Sequence, residues 1–284
     1  TGTALAGACG CARRGVLSRQ RKAGEAARKM TMGTLGHAVF ERLLRGWRDG
    51  TALDDAACAA AVDGAIGERL SDLLAVGVDE GGARAELKAE MTAMRNWVSN
   101  YLPAGGNAAA AAAVVEGSER GMEAASAACG LPAGRLRLRG VLSTEQLLAS
   151  RTYGLKGQPD AEVSAELVTG HNTVVAEVPL PFDLKTGKRT GHNAIVHEAQ
   201  LLVYSLLLSE KHGTRVPAGV LFYPQRARAA VAEGSEPVAA DASHIASLLV
   251  QRNPLVAGCA PHAAAEDRMP PPLETGSHEC NYCP

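Results

Sequence analysis

The chain has 284 residues, enough to bury a full hydrophobic core as one large domain or two small ones. Its hydrophobic content of 46% and charged content of 21% are ordinary for a globular protein, and no run reaches the ~18 apolar residues of a membrane span. A net charge of -1 gives no global basic signal and speaks against a passive DNA coat, so contact with nucleic acid has to come from local patches.

The sequence begins with Thr1, without a basic-then-apolar leader, and reads as an excised piece of a longer protein. Seven sparse cysteines do not suggest a disulfide framework and fit a reducing compartment. Four parts are expected: a helical region over 1–103, an Ala/Gly-rich insert over 104–134, a strand-bearing core over 135–254 and a loop-like cysteine segment over 255–284. Residues 1–10 read as an irregular entry, followed by the basic-apolar run Cys11-Ala-Arg-Arg-Gly-Val-Leu. Helical spacing of Met32, Leu35, Val39, Leu43 and Leu44 predicts a helix from Lys22 to Arg48, with His37 inside it. Gly33 and Gly36 weaken that helix by about 1 kcal/mol each and so suggest close packing nearby. Two more helices are expected between Leu53 and Leu102, one marked by Leu70, Leu73 and Leu74, the other by Leu87, Met91, Met94 and Trp97, ending at Pro103.

Strict alternation in RLRLRGVLSTEQLLAS, residues 135–150, predicts the first strand region. It sets Arg135, Arg137 and Arg139 on one face, available either to phosphate or to solvent. Tyr153 to Val168 reads as the next strand, delivering Asp160; Pro159 cannot donate to a ladder, which places Asp160 at an edge or a bulge. A third strand spans Thr173 to Lys188 and carries Asp183-Leu184-Lys185, in which alternation sends the acid and the base to one side. A helix from about Asn193 to Lys211 follows, with His197, Gln200 and Tyr204 on one face. Those three would touch DNA phosphate or brace the lysine, or form the polar stripe of an amphipathic helix. Ala218 to Tyr223 reads as a buried strand and Asp241 to Gln251 as a covering helix, and the chain closes on Cys280-Asn-Tyr-Cys283.

Two carboxylates beside a lysine suit a Mg2+ or Mn2+ site, because a hard ion is held by a few carboxylates, waters and substrate phosphate oxygens. Asp160 and Asp183 would hold the ion, and Lys185 would orient the attacking water and offset charge in the transition state. A C-x-x-C pair offers sulfur ligands for zinc, an iron-sulfur cluster or redox exchange.

The run GLKGQPDAEV, then PFDLKTGK and HEAQLLVYSLLL, resembles the RecB-like branch of the PD-(D/E)xK nucleases, above all the nuclease domain of the eukaryotic DNA replication helicase/nucleases. The likeness extends to CARRGVLS, MGTLGHAVFERLL, YLP and the terminal ECNYC, so that it spans nearly all of the chain. It implies an α/β restriction-endonuclease-like core, a mixed sheet flanked by helices, with an N-terminal helical region. It implies catalytic roles for Asp160, Asp183, Lys185, Gln200 and Tyr204, and a metal set of His37, Asp160, Asp183 and the Leu184 backbone carbonyl. Glu145 aligns with a family acid and is either a further site carboxylate or the partner of a base; His197 is a further candidate. Cys11, with Cys9 as the alternative, and Cys280 and Cys283 would ligate a [4Fe-4S] cluster, its fourth cysteine expected beyond Pro284. The departures are Gln158-Pro159 before the first aspartate and aspartate rather than the usual glutamate at 183.

The implied function is a metal-dependent single-stranded DNA endonuclease, processing 5' flaps in Okazaki-fragment maturation and resecting DNA ends. Replication protein A is the implied partner, and the nucleus, with the mitochondrion second, the implied location. No phosphate-binding G-x-x-x-x-G-K-[ST] occurs, so a helicase motor is expected in C-terminal sequence outside these residues. A CRISPR-associated or RecB-type exonuclease, and a non-catalytic zinc- or cluster-stabilised nucleic-acid-binding module, are the alternatives.

Overall fold

A computed structural model describes residues 5, 6, 13, 16, 28–102, 113–115, 123, 126–127, 129–169, 172–228 and 230–258. The N-terminal region contains α1 (Arg28–Arg48), α2 (Asp55–Glu68), α3 (Leu70–Ala75) and α4 (Glu80–Tyr101). Asp54 and Asp79 cap α2 and α4 by accepting from the amides of Ala57 at 2.8 Å and Gly82 at 2.7 Å, which satisfies otherwise unpaired first-turn donors. The segment expected as two helices is thus three. Leu73 is buried on α3, whereas Leu74 is 58% exposed and stands outside the core.

The remaining elements are β1 (Arg135–Thr144), β2 (Leu148–Ser150), β3 (Leu155–Gly157), β4 (Ala161–Val168), β5 (Val174–Leu184), α5 (Gly191–His212), β6 (Ala218–Phe222), the short α6 (Val231–Gly234), β7 (Ser235–Ala239) and α7 (Ala242–Gly258). The main sheet has the order β1-β4-β5-β6-β7 and is antiparallel except for the parallel β5–β6 pair. A parallel pair needs a long crossover, and α5 supplies it. Thr190 caps α5 at its start, and Gly213, in the left-handed conformation at φ 66°, ends it. The mixed sheet flanked by helices is the architecture expected from the sequence.

Alternation along β5 and β6 divides the core. Phe182, Leu184, Val220 and Phe222 face α1 and α4, where Phe40, Trp97, Phe182 and Phe222 form an aromatic cluster with ring centroids 4.6–6.4 Å apart. Pro181, Asp183 and Gly219 face α5; a Cβ on Gly219 would stand 2.6 Å from Leu201, so only glycine permits this approach of helix to sheet.

Two expectations are corrected here. The strand foreseen over 153–168 is broken: β3 pairs with β2 in a separate two-stranded sheet, and β4 begins at Ala161 between β1 and β5. Pro159 is the reason, since residues 158–160 cross between the sheets where no ladder donor is required. Asp160 therefore lies at the entry to an interior strand rather than at an edge or bulge. Arg137 and Arg139 present no free cationic face either; Arg137 binds Glu166 on β4 at 2.6 Å and Arg139 reaches the same carboxylate at 3.2 Å. Within the Ala/Gly-rich stretch, Val114 bridges Arg137 and the Val115 amide donates to the Leu136 carbonyl at 2.8 Å.

Candidate active site

Helix α1 carries His37 toward the entry of β4. The Gly33 and Gly36 surfaces allow this: a Cβ on Gly36 would lie 2.9 Å from Thr186 Cγ2, one residue past Lys185. His37 Nδ1 and Asp160 Oδ1 are 2.7 Å apart, while Asp160 Oδ2 accepts from the Leu184 amide at 2.5 Å. The Leu184 backbone thus ties Asp160 to the end of β5.

Asp183, 2% exposed, and Lys185 share a face as alternation requires, with Nζ 2.5 Å from Asp183 Oδ2. That oxygen is buried, and among the described residues the Lys185 ammonium is the group that meets its charge at contact distance. Lys185 also donates to Gln200 Oε1 at 2.9 Å, and Gln200 Nε2 donates to the Tyr204 hydroxyl at 2.5 Å. The i, i+4 spacing of Gln200 and Tyr204 on α5 makes that relay possible. Lys185 follows the last residue of β5, but its amide donates to the Phe222 carbonyl at 2.8 Å and holds it in line with β6. His197, the third residue of the expected stripe, bonds the Tyr223 hydroxyl at 2.9 Å rather than Lys185.

Glu145 joins the group. Its backbone is left-handed at φ 49°, an uncommon state for a non-glycine residue and one that clusters at functional sites. Gln158 holds it by donating to its carbonyl at 2.9 Å and its carboxylate at 3.0 Å. One ligand atom each from His37, Glu145 and Asp160 lie within 4.8 Å of one another, a spacing that can surround one ion. Asp183 is outside that trio but lines the same cavity of about 570 Å3, together with Lys185, Gln200 and Tyr204. The donor set of one imidazole and several carboxylates gathered on one cavity fits a divalent cation.

The electrostatics follow from crowding. Burial raises Asp183 to about 6, against the pull of Lys185 and with the push of Asp160. Glu145 rises to about 7, through burial first and then the charges of Asp160 and Glu41. Burial alone would lower His37, but Asp160 and Asp183 outweigh it and its pKa is raised. His197 falls to about 4 through burial and the nearby Lys185 and Arg189, so it is neutral at ordinary pH.

Sequence reasoning missed Lys156 and Leu147 on the cavity wall and read Gln158 only as a departure from a pattern. It also missed Gln225, whose side chain donates to the Thr186 carbonyl at 2.7 Å and steadies the turn after Lys185. No periodicity or spacing marks these residues. Cys11, Cys280 and Cys283, and the alternative Cys9, lie outside the described residues; Cys58 and Cys129 are free thiols.

A protein-family profile described as DNA replication factor Dna2 matches residues 1–165, more than half of the chain. The DNA replication ATP-dependent helicase/nuclease JHS1 of Arabidopsis thaliana is 28% identical over 283 residues, covering 99% of this chain and 19% of that protein. The DNA replication ATP-dependent helicase/nucleases of Homo sapiens and Schizosaccharomyces pombe are 23% and 26% identical, each over 78% of this chain. The chain spans 14–26% of the length of the curated relatives it matches.

Proposed function

The chain belongs to the DNA replication factor Dna2 family, and on that basis we propose that it is a divalent-metal-dependent single-stranded DNA endonuclease, acting on 5' flaps and resected ends within a larger helicase-nuclease. The observation that carries the reading is the convergence of His37, Glu145 and Asp160 with the buried Asp183–Lys185 pair in one cavity. His37, Glu145, Asp160 and Asp183 would hold Mg2+ or Mn2+, with the Leu184 carbonyl completing the set. Bound there, the ion would polarise the scissile phosphate and lower the pKa of the attacking water.

The protein's own part is positioning and charge. Gln200, itself held by Tyr204, keeps the Lys185 ammonium directed rather than free to rotate. From that position Lys185 orients the water and offsets the charge that builds on the phosphate oxygens. Phosphoryl chemistry of this kind rests mostly on such pre-set electrostatics.

Digestion of single-stranded and 5'-flap oligonucleotides with and without Mg2+ tests the reading. Lys185→Ala is expected to lower kcat by about a hundred- to a thousandfold while leaving DNA affinity in place. Retained cleavage would remove Lys185 from the mechanism, and metal-independent binding without any cleavage would turn the chain into a binding module. Cys11, Cys280 and Cys283 bring a [4Fe-4S] cluster into the same reading, to be tested by iron content and visible absorption after anaerobic purification. Replication protein A as partner and a nuclear, secondarily mitochondrial, location accompany it; co-purification and tagging experiments decide them.

A further inference from the structure

One wall of the cavity is unused by the chemistry above. It is built by the β2–β3 hairpin and its flanks, from which Leu147, Lys156 and Gln158 line the space that also holds Asp160 and Lys185. The hairpin is firmly seated. Leu148, Ser150, Leu155 and Gly157 are buried, and a Cβ on Gly157 would lie 2.5 Å from the Tyr204 ring. Its turn is tied on three sides: the Tyr153 amide donates to Ser150 Oγ at 2.9 Å, Thr152 donates to Glu210 at 3.1 Å, and the Arg252 guanidinium donates to the Tyr153 carbonyl.

On this fixed base Lys156 points away from the core. It is exposed, and its ammonium makes no ion pair or hydrogen bond among the described residues. The other lysine of the cavity, Lys185, is committed to Asp183 and Gln200. A polyanion approaching a site lined by Glu145, Asp160 and Asp183 meets like charge, so an uncommitted cation on the same wall is placed to offset it. Leu147 lies on the same wall and is 63% exposed, an apolar side chain beside the charged Glu145 and Lys156.

We propose that the β2–β3 hairpin is the strand-holding wall of the site: Lys156 takes a phosphate flanking the scissile one, and Leu147 lies against a base of the same unpaired strand. The pairing of a cation with an apolar surface is how single strands are held without sequence preference, since every unpaired base offers a flat face and every nucleotide a charge. In a duplex that face is stacked away, so the Leu147 contact favours unpaired DNA. The proposal rests on the nuclease reading for the site it serves, but its affinity arm stands apart from cleavage.

The test combines binding and turnover in the purified protein. In a Lys185→Ala background, fluorescence anisotropy with a labelled single-stranded oligonucleotide should show Lys156→Ala weakening affinity by about tenfold and flattening the log-log salt dependence by ~0.7, with Lys156→Arg restoring both. Leu147→Ser should weaken single-strand binding and leave duplex binding unchanged. With Lys185 intact, Lys156→Ala should raise KM for the same oligonucleotide while kcat stays within about twofold, a split that damage to the fold would not produce. Unchanged affinity and KM for Lys156→Ala would overturn the proposal. Absence of Mg2+-dependent cleavage by the unmutated protein would instead overturn the nuclease reading, with the anisotropy arm still deciding the hairpin.

Discussion

Asp183 and Glu145 hold protons more tightly than free carboxyls do, and the sign of the consequence is definite. Asp183 moves from 3.8 to about 6 and Glu145 from 4.5 to about 7 on folding, so the folded chain binds protons that the unfolded chain has released. Such groups stabilise the metal-free fold below roughly pH 4, and that contribution is lost as pH rises through about 7. Thermal unfolding in EDTA should therefore show a decline across this window that is shallower in the Asp183→Asn, Glu145→Gln variant, and Mg2+ should oppose the decline in the unmutated protein. An identical pH profile for variant and parent would contradict this account. The Asp183–Lys185 pair was legible from the sequence because strand periodicity alone puts two such residues on one face. Glu145 was only half legible, because nothing in SerThrGluGln announces a left-handed glutamate. Arg137 and Arg139 were misleading for a different reason: their acid, Glu166, is on a neighbouring strand, and pairing across strands is invisible to a local pattern.

The tightest approach of helix α5 to the β2–β3 hairpin is at Gly157, against Tyr204. Gly157→Ala should drive the hairpin or the tyrosine ring away. An overpacked contact of this kind costs about 1–3 kcal/mol, read as a lower urea midpoint. Because Tyr204 holds Gln200 and Gln200 holds Lys185, kcat should fall as well. Loss of stability with unchanged kcat would show that the relay does not govern the lysine. Gly36→Ala makes the corresponding test on α1, where the new methyl would meet Thr186 and displace His37 from Asp160. The glycines of α1 correctly signalled close packing, since helix formers are otherwise preferred there. The separate hairpin is not legible in the sequence, because a proline at an edge within one strand and a proline at the passage between two sheets leave the same local pattern.

Across the molecule, the site is assembled from parts that are remote in the chain: His37 and Asp160 are 123 residues apart, and α1, β4, β5 and α5 all contribute. The aromatic cluster of Phe40, Trp97, Phe182 and Phe222 ties α1 and α4 to the strands, with Phe40 one turn from His37 and Phe182 next to Asp183. Trp97→Ala should cost about 3–5 kcal/mol in urea unfolding and weaken divalent-ion affinity with it, measured by calorimetry. Full ion affinity in a strongly destabilised variant would mean that the site does not depend on this packing. The helix-then-sheet order was legible from apolar periodicity, whereas the strand order was not, since it is set by contacts between distant segments.

Trp97 is wholly enclosed, with its indole N–H donating to Ser235 Oγ at 2.9 Å, and it is one of only two tryptophans in the chain. The other, Trp47, is partly buried, its ring edge 3.5 Å from where a Cβ on Gly140 would sit. The protein therefore carries its own optical gauge: short-wavelength indole emission from Trp97 reports an intact interior, and a Trp47→Phe background would isolate that signal without attaching a dye.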